Sequence, residues 1–273
     1  MSVESGRIGI GDVTAWWANG IARIAPGEIA LRGYPIERLI GEVGFGEMIW
    51  LMLRGELPGP QEARLLEAAL VSAVDHGPQA PSIAAARMAA TCGVGLNSAV
   101  ATGVNLLGDV HGGAGQQCME VLAGIRAREA GGEPLGDAVA DVVADVRSRM
   151  RYVPGFGHRF HPRDPRRDPL LELVREAVAG GLVSGDHLRA ALELEEQIAP
   201  VPMNVDGATA VVYSELGFEP PLGRGLFVLS RSVGILAHAW EEQSSGGRLK
   251  GPMPRRLLAD YHGPAPRDLP DLA

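Results

Sequence analysis

Cysteine is nearly absent from this chain of 273 residues: it has two, Cys92 and Cys118, and neither belongs to a Cys-x-x-Cys pair. That excludes a disulfide scaffold and a zinc ribbon, and it predicts a reducing, cytoplasmic setting. Lysine is scarcer still: Lys250 is the single one among 25 basic residues, so any Schiff-base chemistry would have one candidate. Aromatic residues make up 5%. Apolar runs are broken by Gly, Arg, Glu or Pro well short of the roughly 20 residues a membrane span needs, so no membrane partner is expected. No basic segment followed by an apolar core opens the sequence, and no secretory signal is expected. Basic surplus is missing too. With 33 acidic against 25 basic side chains and a formal charge of −8, nucleic acid is not expected as a partner.

Alternating strand patterns are also rare, whereas helical spacing recurs. Val139, Val142, Val143, Val146 and Met150 fall on one helical face. Leu65, Leu66, Ala69, Leu70 and Ala73 form another, directly after the breaker Leu57-Pro58-Gly59-Pro60. Leu188, Ala191, Leu192 and Ile198 form a third, with Ser184 and Asp186 as capping candidates, and Leu226, Phe227, Leu229, Val233, Leu236 and Trp240 a fourth. No Asn-Gly or Asp-Gly turn joins two alternating runs, and no internal repeat is present. The pattern predicts an all-α fold.

What is abundant is glycine (37) and proline (20), and several of them frame three segments that interrupt the helical rhythm. Gly108 to Gly115 surrounds Asp109 and His111; Val153 to Arg167 surrounds His158 and His161; Pro200 to Gly207 carries Asn204 and Asp206. Backbone outside helices has no internal hydrogen bonding, and function often collects there. A lone histidine is more often structural than catalytic. Three acid–base groups, His111, His158 and Asp206, in three Gly/Pro-framed loops point instead to one site. His161, His187, His238 and His262 read as structural or solvent-exposed. From Arg151 to Arg167 there are five arginines (Arg151, Arg159, Arg163, Arg166 and Arg167) against one acid, Asp164, and the stretch reads as either an anion site or a solvated basic loop.

Two local likenesses fail on their own terms. Gly108-Asp109-Val110-His111-Gly112 matches the opening motif of metallophosphoesterases, but the later metal-binding motifs are absent, so no metal is expected. Gly93-Val94-Gly95 has no third glycine and no strand before it, so it is not a dinucleotide fingerprint.

Taken in order, several segments resemble the citrate synthase superfamily. They are Leu31-Arg32-Gly33-Tyr34-Pro35-Ile36-Glu37, Arg54-Gly55-Glu56-Leu57-Pro58, Val110-His111-Gly112-Gly113-Ala114, Val153-Pro154-Gly155-Phe156-Gly157-His158-Arg159 with Asp164-Pro165-Arg166, Asn204-Val205-Asp206-Gly207 and Ser230-Arg231-Ser232-Val233-Gly234. The resemblance runs from about residue 31 to 262. It implies an all-α homodimer with a large domain (1–112 and 219–273) and a smaller mobile one (113–218), with an acyl-CoA site in the cleft. It implies Asp206 as general base at the thioester's α-carbon, His111 as hydrogen-bond donor to the developing enolate, and His158 as the group that polarises and protonates the acceptor keto oxygen. Arg231, Arg166, Arg159 and His76 would bind carboxylates, although His76 also reads as a helix C-terminal cap. Val153, Pro154, Gly155, Phe156 and Gly157 would meet the adenine of coenzyme A. No covalently bound cofactor is implied; the CoA thioester and a small 2-keto acid are substrates.

Two departures matter. The chain is short for a citrate synthase, and the motif whose arginine reaches into the partner subunit reads Lys250-Gly251-Pro252-Met253-Pro254, with Gly251 at the arginine's place and Lys250, Arg255 or Arg248 as substitutes. Both resemble the short citryl-CoA lyase branch, which cleaves citryl-CoA to acetyl-CoA and oxaloacetate. A separate citrate–CoA ligase partner is possible in that reading. The alternatives are a citrate or 2-methylcitrate synthase and a catalytically inactive α-helical binding subunit.

Overall fold

The computed structural model describes residues 10–251 and 256–269. Twelve helices occupy most of this length: α1 (Ile10–Trp16), α2 (Ile36–Leu39), α3 (Phe45–Arg54), α4 (Pro60–Ala73), α5 (Pro81–Thr91), α6 (Leu96–Val104), α7 (Ala114–Ala130), α8 (Leu135–Arg149), α9 (Arg167–Ala179), α10 (Asp186–Gln197), α11 (Val205–Glu215) and α12 (Pro220–Ser244). No helix among the described residues is long and apolar enough to cross a membrane. The chain divides into two units, Met1–Asp75 with Leu107–Val233, and His76–Leu106 with Gly234–Ala273. This division by packing differs from the 1–112/219–273 and 113–218 domains that the resemblance implies, which concern motion rather than packing.

In the first unit α11 packs against α4, α7, α9 and α10, and α8 against α7 and α10. Val211 and Val212 of α11, Leu122 and Ile125 of α7, Val139 of α8, Leu171 and Val174 of α9, Leu194 of α10 and Leu66 of α4 are fully buried there. Each such side chain contributes on the order of 2 kcal/mol. The expected α4 face is buried at every position, from Leu65 to Ala73. On α8, Val139, Val143 and Val146 are buried, Val142 packs against the core, and Met150 is the exposed C-cap. The breakers act as read: Gly59 precedes α4, Pro60 opens it, and the Glu62 carboxylate accepts from Gly59 N at 2.7 Å. The capping of α10 follows expectation in part: Ser184 Oγ accepts from Asp186 N at 3.2 Å. The N-cap itself is Gly185, and Glu215 of α11 accepts from Gly185 N and Leu188 N, each at 3.0 Å, so a neighbouring helix adds a second acceptor.

Two further findings depart from the sequence reading. A small antiparallel sheet, β1 (Ala22–Ala25), β2 (Glu28–Leu31) and β3 (Tyr34–Pro35), adds to the helices. Pro26-Gly27 and Arg32-Gly33 make its turns, with φ of 77° at Gly27 and of 50° and 89° at Arg32 and Gly33. The second turn has the two positive φ values of a hairpin turn, but an arginine takes the first left-handed place. Its guanidinium is held by Met52 O (2.6 and 3.1 Å) and Gly20 O (3.1 Å). On α12, Leu226 is buried, but Leu229, Val233, Leu236 and Trp240 are exposed; Ser230, Arg231, Ile235 and Ala239 are buried in their stead.

In the second unit α5 and α6 pack together, closely enough that a methyl group on Gly103 would lie 2.7 Å from Ser82 O. Arg87 of α5 reaches His238 Nδ1 (2.8 Å), Glu241 and the buried Glu242. Lys250 joins Glu242 at 3.0 Å, and Leu249 N and Lys250 N donate to Thr91 at 3.1 and 2.9 Å.

Candidate active site

The site is built where the last two irregular segments lie against each other. Phe156 and Met203 pair as an isolated antiparallel bridge, Gly157 N donates to Pro202 O (2.7 Å), and Asn204 N donates to Gly155 O (3.0 Å). A methyl group on Gly155 would stand 2.9 Å from Gly207 Cα and 2.6 Å from Cys118 Sγ, and φ at Gly155 is 84°. Only glycine admits both this approach and this backbone conformation.

Asn204 is the hinge pin between the segments. As N-cap of α11, its Oδ1 accepts from Asp206 N (2.8 Å) and Gly207 N (3.2 Å), while its Nδ2 donates to Gly157 O (2.6 Å). Asp206 therefore enters the first turn of α11 with its backbone fixed. Its side chain is half-buried. Burial raises its carboxyl above the ordinary range, opposed by the charges of Arg166 and Arg231 and aided by that of Asp164.

Asp164, 1% exposed, takes Arg166 in a bidentate pair (2.9 and 2.8 Å) and accepts from Arg166 N (3.0 Å) and Val205 N (3.0 Å). Burial by itself would raise its carboxyl; the Arg166 bonds and charge and the Val205 N–H outweigh that and hold it at about 2. Met203 N donates to Glu195 (2.7 Å), which also pairs with Arg167.

His158 is half-buried, with Nδ1 accepting from Phe160 N (3.1 Å) and His161 N (3.0 Å). Two N–H donors on Nδ1 place the ring proton of the neutral form on Nε2. Burial lowers its pKa, with the charge of Asp164 opposing and those of His161 and Arg166 adding. The His161 ring stacks on it, centroids 4.5 Å apart.

Arg231, on α12, is buried; its Nε donates to Ala73 O (2.9 Å) and its guanidinium lies 4.9 Å from the centre of the Phe227 ring. Its charge acts on Asp206, Asp75, Arg166 and His111. His111, half-buried before α7, has its pKa lowered by burial first and then by Arg231. Both effects favour the neutral imidazole over the charged one.

Charge links these groups in series: Arg231 acts on His111 and Asp206, and Arg166 acts on Asp206 and His158. Arg159 is exposed, and His76 belongs to the other unit. Val153, Pro154, Gly155 and Phe156 are buried, Gly157 less so, and Pro154 ends a groove of about 500 Å³ lined by α7 and α8. The basic stretch is largely neutralised. Arg163 pairs with Asp168, Arg166 with Asp164, and Arg167 with Glu195 and Asp168, two of these partners lying beyond the counted segment. Asp109 pairs with Arg224 at 2.6 Å, and among the described residues no cluster of three or more His, Cys, Asp or Glu is arranged to hold a metal ion. Gly251 adopts a φ of 127°; Pro252, Met253, Pro254 and Arg255 lie outside the described residues, Arg248 is exposed, and Lys250 is engaged by Glu242. Sequence reasoning missed Asn204 and Asp164 as the residues that fix the site, though an asparagine directly before a helix and one acid among five arginines are the signals.

Residues 59–252 match the family model described as citrate synthase, C-terminal domain. A solved citryl-CoA lyase from Hydrogenobacter thermophilus is 35% identical, with a TM-score of 0.80 covering 93% of this chain and 97% of that one. Citrate synthase 1 of Mycobacterium tuberculosis is 32% identical over 214 residues, 74% of this chain and 48% of that protein. The ternary complex of a citrate synthase from Thermoplasma acidophilum with carboxymethyl coenzyme A and oxaloacetate shares the fold (TM-score 0.71, 23% identity, 85% of this chain and 60% of that one). The chain spans about half the length of the curated relatives it matches. On the matched family model and the 35% identity across nearly the whole lyase chain, this protein belongs to the citrate synthase family.

Proposed function

We propose that the chain breaks and forms a carbon–carbon bond next to a CoA thioester, with citryl-CoA cleaved to acetyl-CoA and oxaloacetate. The observation that carries this is the gathering of His111, His158 and Asp206 around Arg166 and Arg231 in one unit of a chain so like a citryl-CoA lyase. In the condensing direction Asp206 removes a proton from the thioester methyl, and its raised pKa brings it nearer to the task than an ordinary aspartate. Neutral His111 donates a hydrogen bond to the thioester oxygen as it becomes an enolate. The enolate carbon attacks the keto carbon while His158 gives its Nε2 proton to the new alkoxide; the two N–H donors at Nδ1 stabilise the charge left on the ring. Cleavage starts once solvent has moved one proton from His158 Nε2 to Asp206, the state that condensation leaves behind: the hydroxyl proton returns to Nε2, the bond breaks, and protonated Asp206 delivers its proton to the enolate carbon, so that both residues end as they began.

Arg231 and Arg166 hold the carboxylates of the keto acid, with Arg159 and His76 assisting. Val153 to Gly157 meet the adenine of coenzyme A, and 113–218 moves against 1–112 with 219–273 to close the cleft. No covalently bound cofactor is required. The exposed apolar stripe of α12 supports a homodimer, since such patches commonly mark subunit contacts. The two free cysteines accord with a reducing cytoplasm, and a separate citrate–CoA ligase would supply the thioester.

The second reading is a citrate or 2-methylcitrate synthase, favoured by the citrate synthases among the relatives. The two separate in one assay. Offered citryl-CoA, a lyase releases acetyl-CoA and oxaloacetate; offered acetyl-CoA and oxaloacetate, it releases no citrate or free CoA. Steady release of both from the second mixture would defeat the lyase reading, and no turnover of either mixture would leave a binding subunit.

A further inference from the structure

Asp109 takes no part in the chemistry above, yet it sits two residues before His111 and is joined to α12. Its Oδ1 accepts from Arg224 Nη2 at 2.6 Å, although the Asp109 side chain is 78% exposed. Arg224 is the anchored partner: its side chain is 26% exposed, and its Nε is buried without a hydrogen bond. The Asp109 carbonyl accepts from the Gln117 amide at 3.3 Å, and a methyl group on Gly113 would lie 2.6 Å from that same oxygen. Between them His111 is followed by Gly112, whose φ is 103° and whose added methyl would meet the Phe227 ring at 3.0 Å.

Arg224, Phe227 and Arg231 are spaced at three and four residues and therefore share one face of α12. That face takes hold of the loop before His111, packs on the residue after it, and carries the guanidinium whose charge reaches His111. We propose that Arg224 is a positioning residue for His111, acting through Asp109. The inference rests on the role given to His111 above. A hydrogen-bond donor aimed at a developing oxyanion loses effect steeply when misplaced, so the pair would act on turnover more than on substrate binding.

The test uses the full chain and three variants, Arg224→Met, Asp109→Asn and both together, with Arg224→Lys as the conservative control. Asp109→Asn keeps the shape of an exposed side chain, and a Tm equal to that of the unmodified protein checks that it folds. Citryl-CoA turnover is measured alongside histidine side-chain resonances in 15N-histidine-labelled protein, with His111 assigned from a His111→Gln spectrum. Each single variant is expected to lower kcat by about 10- to 100-fold with KM changed less than about threefold. The double variant is expected to be no worse than the poorer single one, and Arg224→Lys to recover most of the loss. The His111 resonance shifts in both single variants while that of His158 stays. Unmoved His111 resonances, or single losses that multiply in the double variant, would overturn the proposal. If the unmodified protein fails to turn over citryl-CoA, the proposed function falls, and the His111 resonances still decide this inference.

Discussion

Gly155 and Gly207 meet backbone against backbone, so the loop bearing His158 and the helix bearing Asp206 touch where neither has a side chain. Gly155→Ala puts a methyl group 2.6 Å from Cys118 Sγ at a φ of 84°. Overpacking and left-handed strain each cost about 1–3 kcal/mol, so calorimetry should show a lower Tm for this variant, together with reduced turnover. Unchanged Tm and turnover would mean that the contact is slack.

Asp164 links Arg166 to the backbone beside Asp206. Asp164→Asn leaves the Arg166 guanidinium short of its counter-ion and should cost about 2–4 kcal/mol, given that Arg166 keeps some contact with water. The pH dependence has a definite sign. The carboxyl is held at about 2, below its unfolded value of about 3.9, so its contribution is full above pH 4 and is lost as pH falls towards 2. Urea melts across that range should lose this slope in the asparagine variant.

Asp206 behaves in the opposite way. Its folded pKa is raised, chiefly by burial, so the charged form is held against a folding penalty that appears as pH rises through its unfolded value. Asp206→Asn is therefore expected to raise Tm at pH 7 while lowering turnover by about 10²- to 10⁴-fold. A loss of both stability and activity would contradict this account.

Arg231 is expected to act on the keto acid. Arg231→Met should raise KM for oxaloacetate by about 10- to 100-fold in the condensing direction, with a smaller change in KM for acetyl-CoA. Equal changes in both would assign the residue to general packing.

The long helices were legible because their apolar residues repeat with one period and have one burial partner; α4 follows its pattern at each position. The sheet was not, because β1 and β2 have four residues each with no apolar alternation, and an arginine fills a left-handed turn position. Nor does periodicity say what covers a face: Leu229, Val233, Leu236 and Trp240 repeat like core residues and are exposed. In the site, Gly/Pro density revealed the loops, since unpaired backbone leaves a compositional mark. Of the arginines' partners Asp164 and Asp168 are near neighbours in sequence, but Glu195, which takes Arg167, was hidden because it arrives from α10. Sequence distance carries no record of such pairings.

Each irregular segment of the site is also the entrance to a helix: Gly113 before α7, Arg166 before α9 and Asn204 before α11. The amino ends of these helices carry partial positive charge from their unpaired N–H groups. A carboxylate-bearing ligand approaching this region thus enters a field that is attractive before any side chain touches it, on a protein whose total charge of −8 repels it from afar. Such opposed fields make capture short-ranged: ions in solution would screen the distant repulsion more than the attraction inside, so modest salt would leave the association rate of an anionic ligand intact or even raise it.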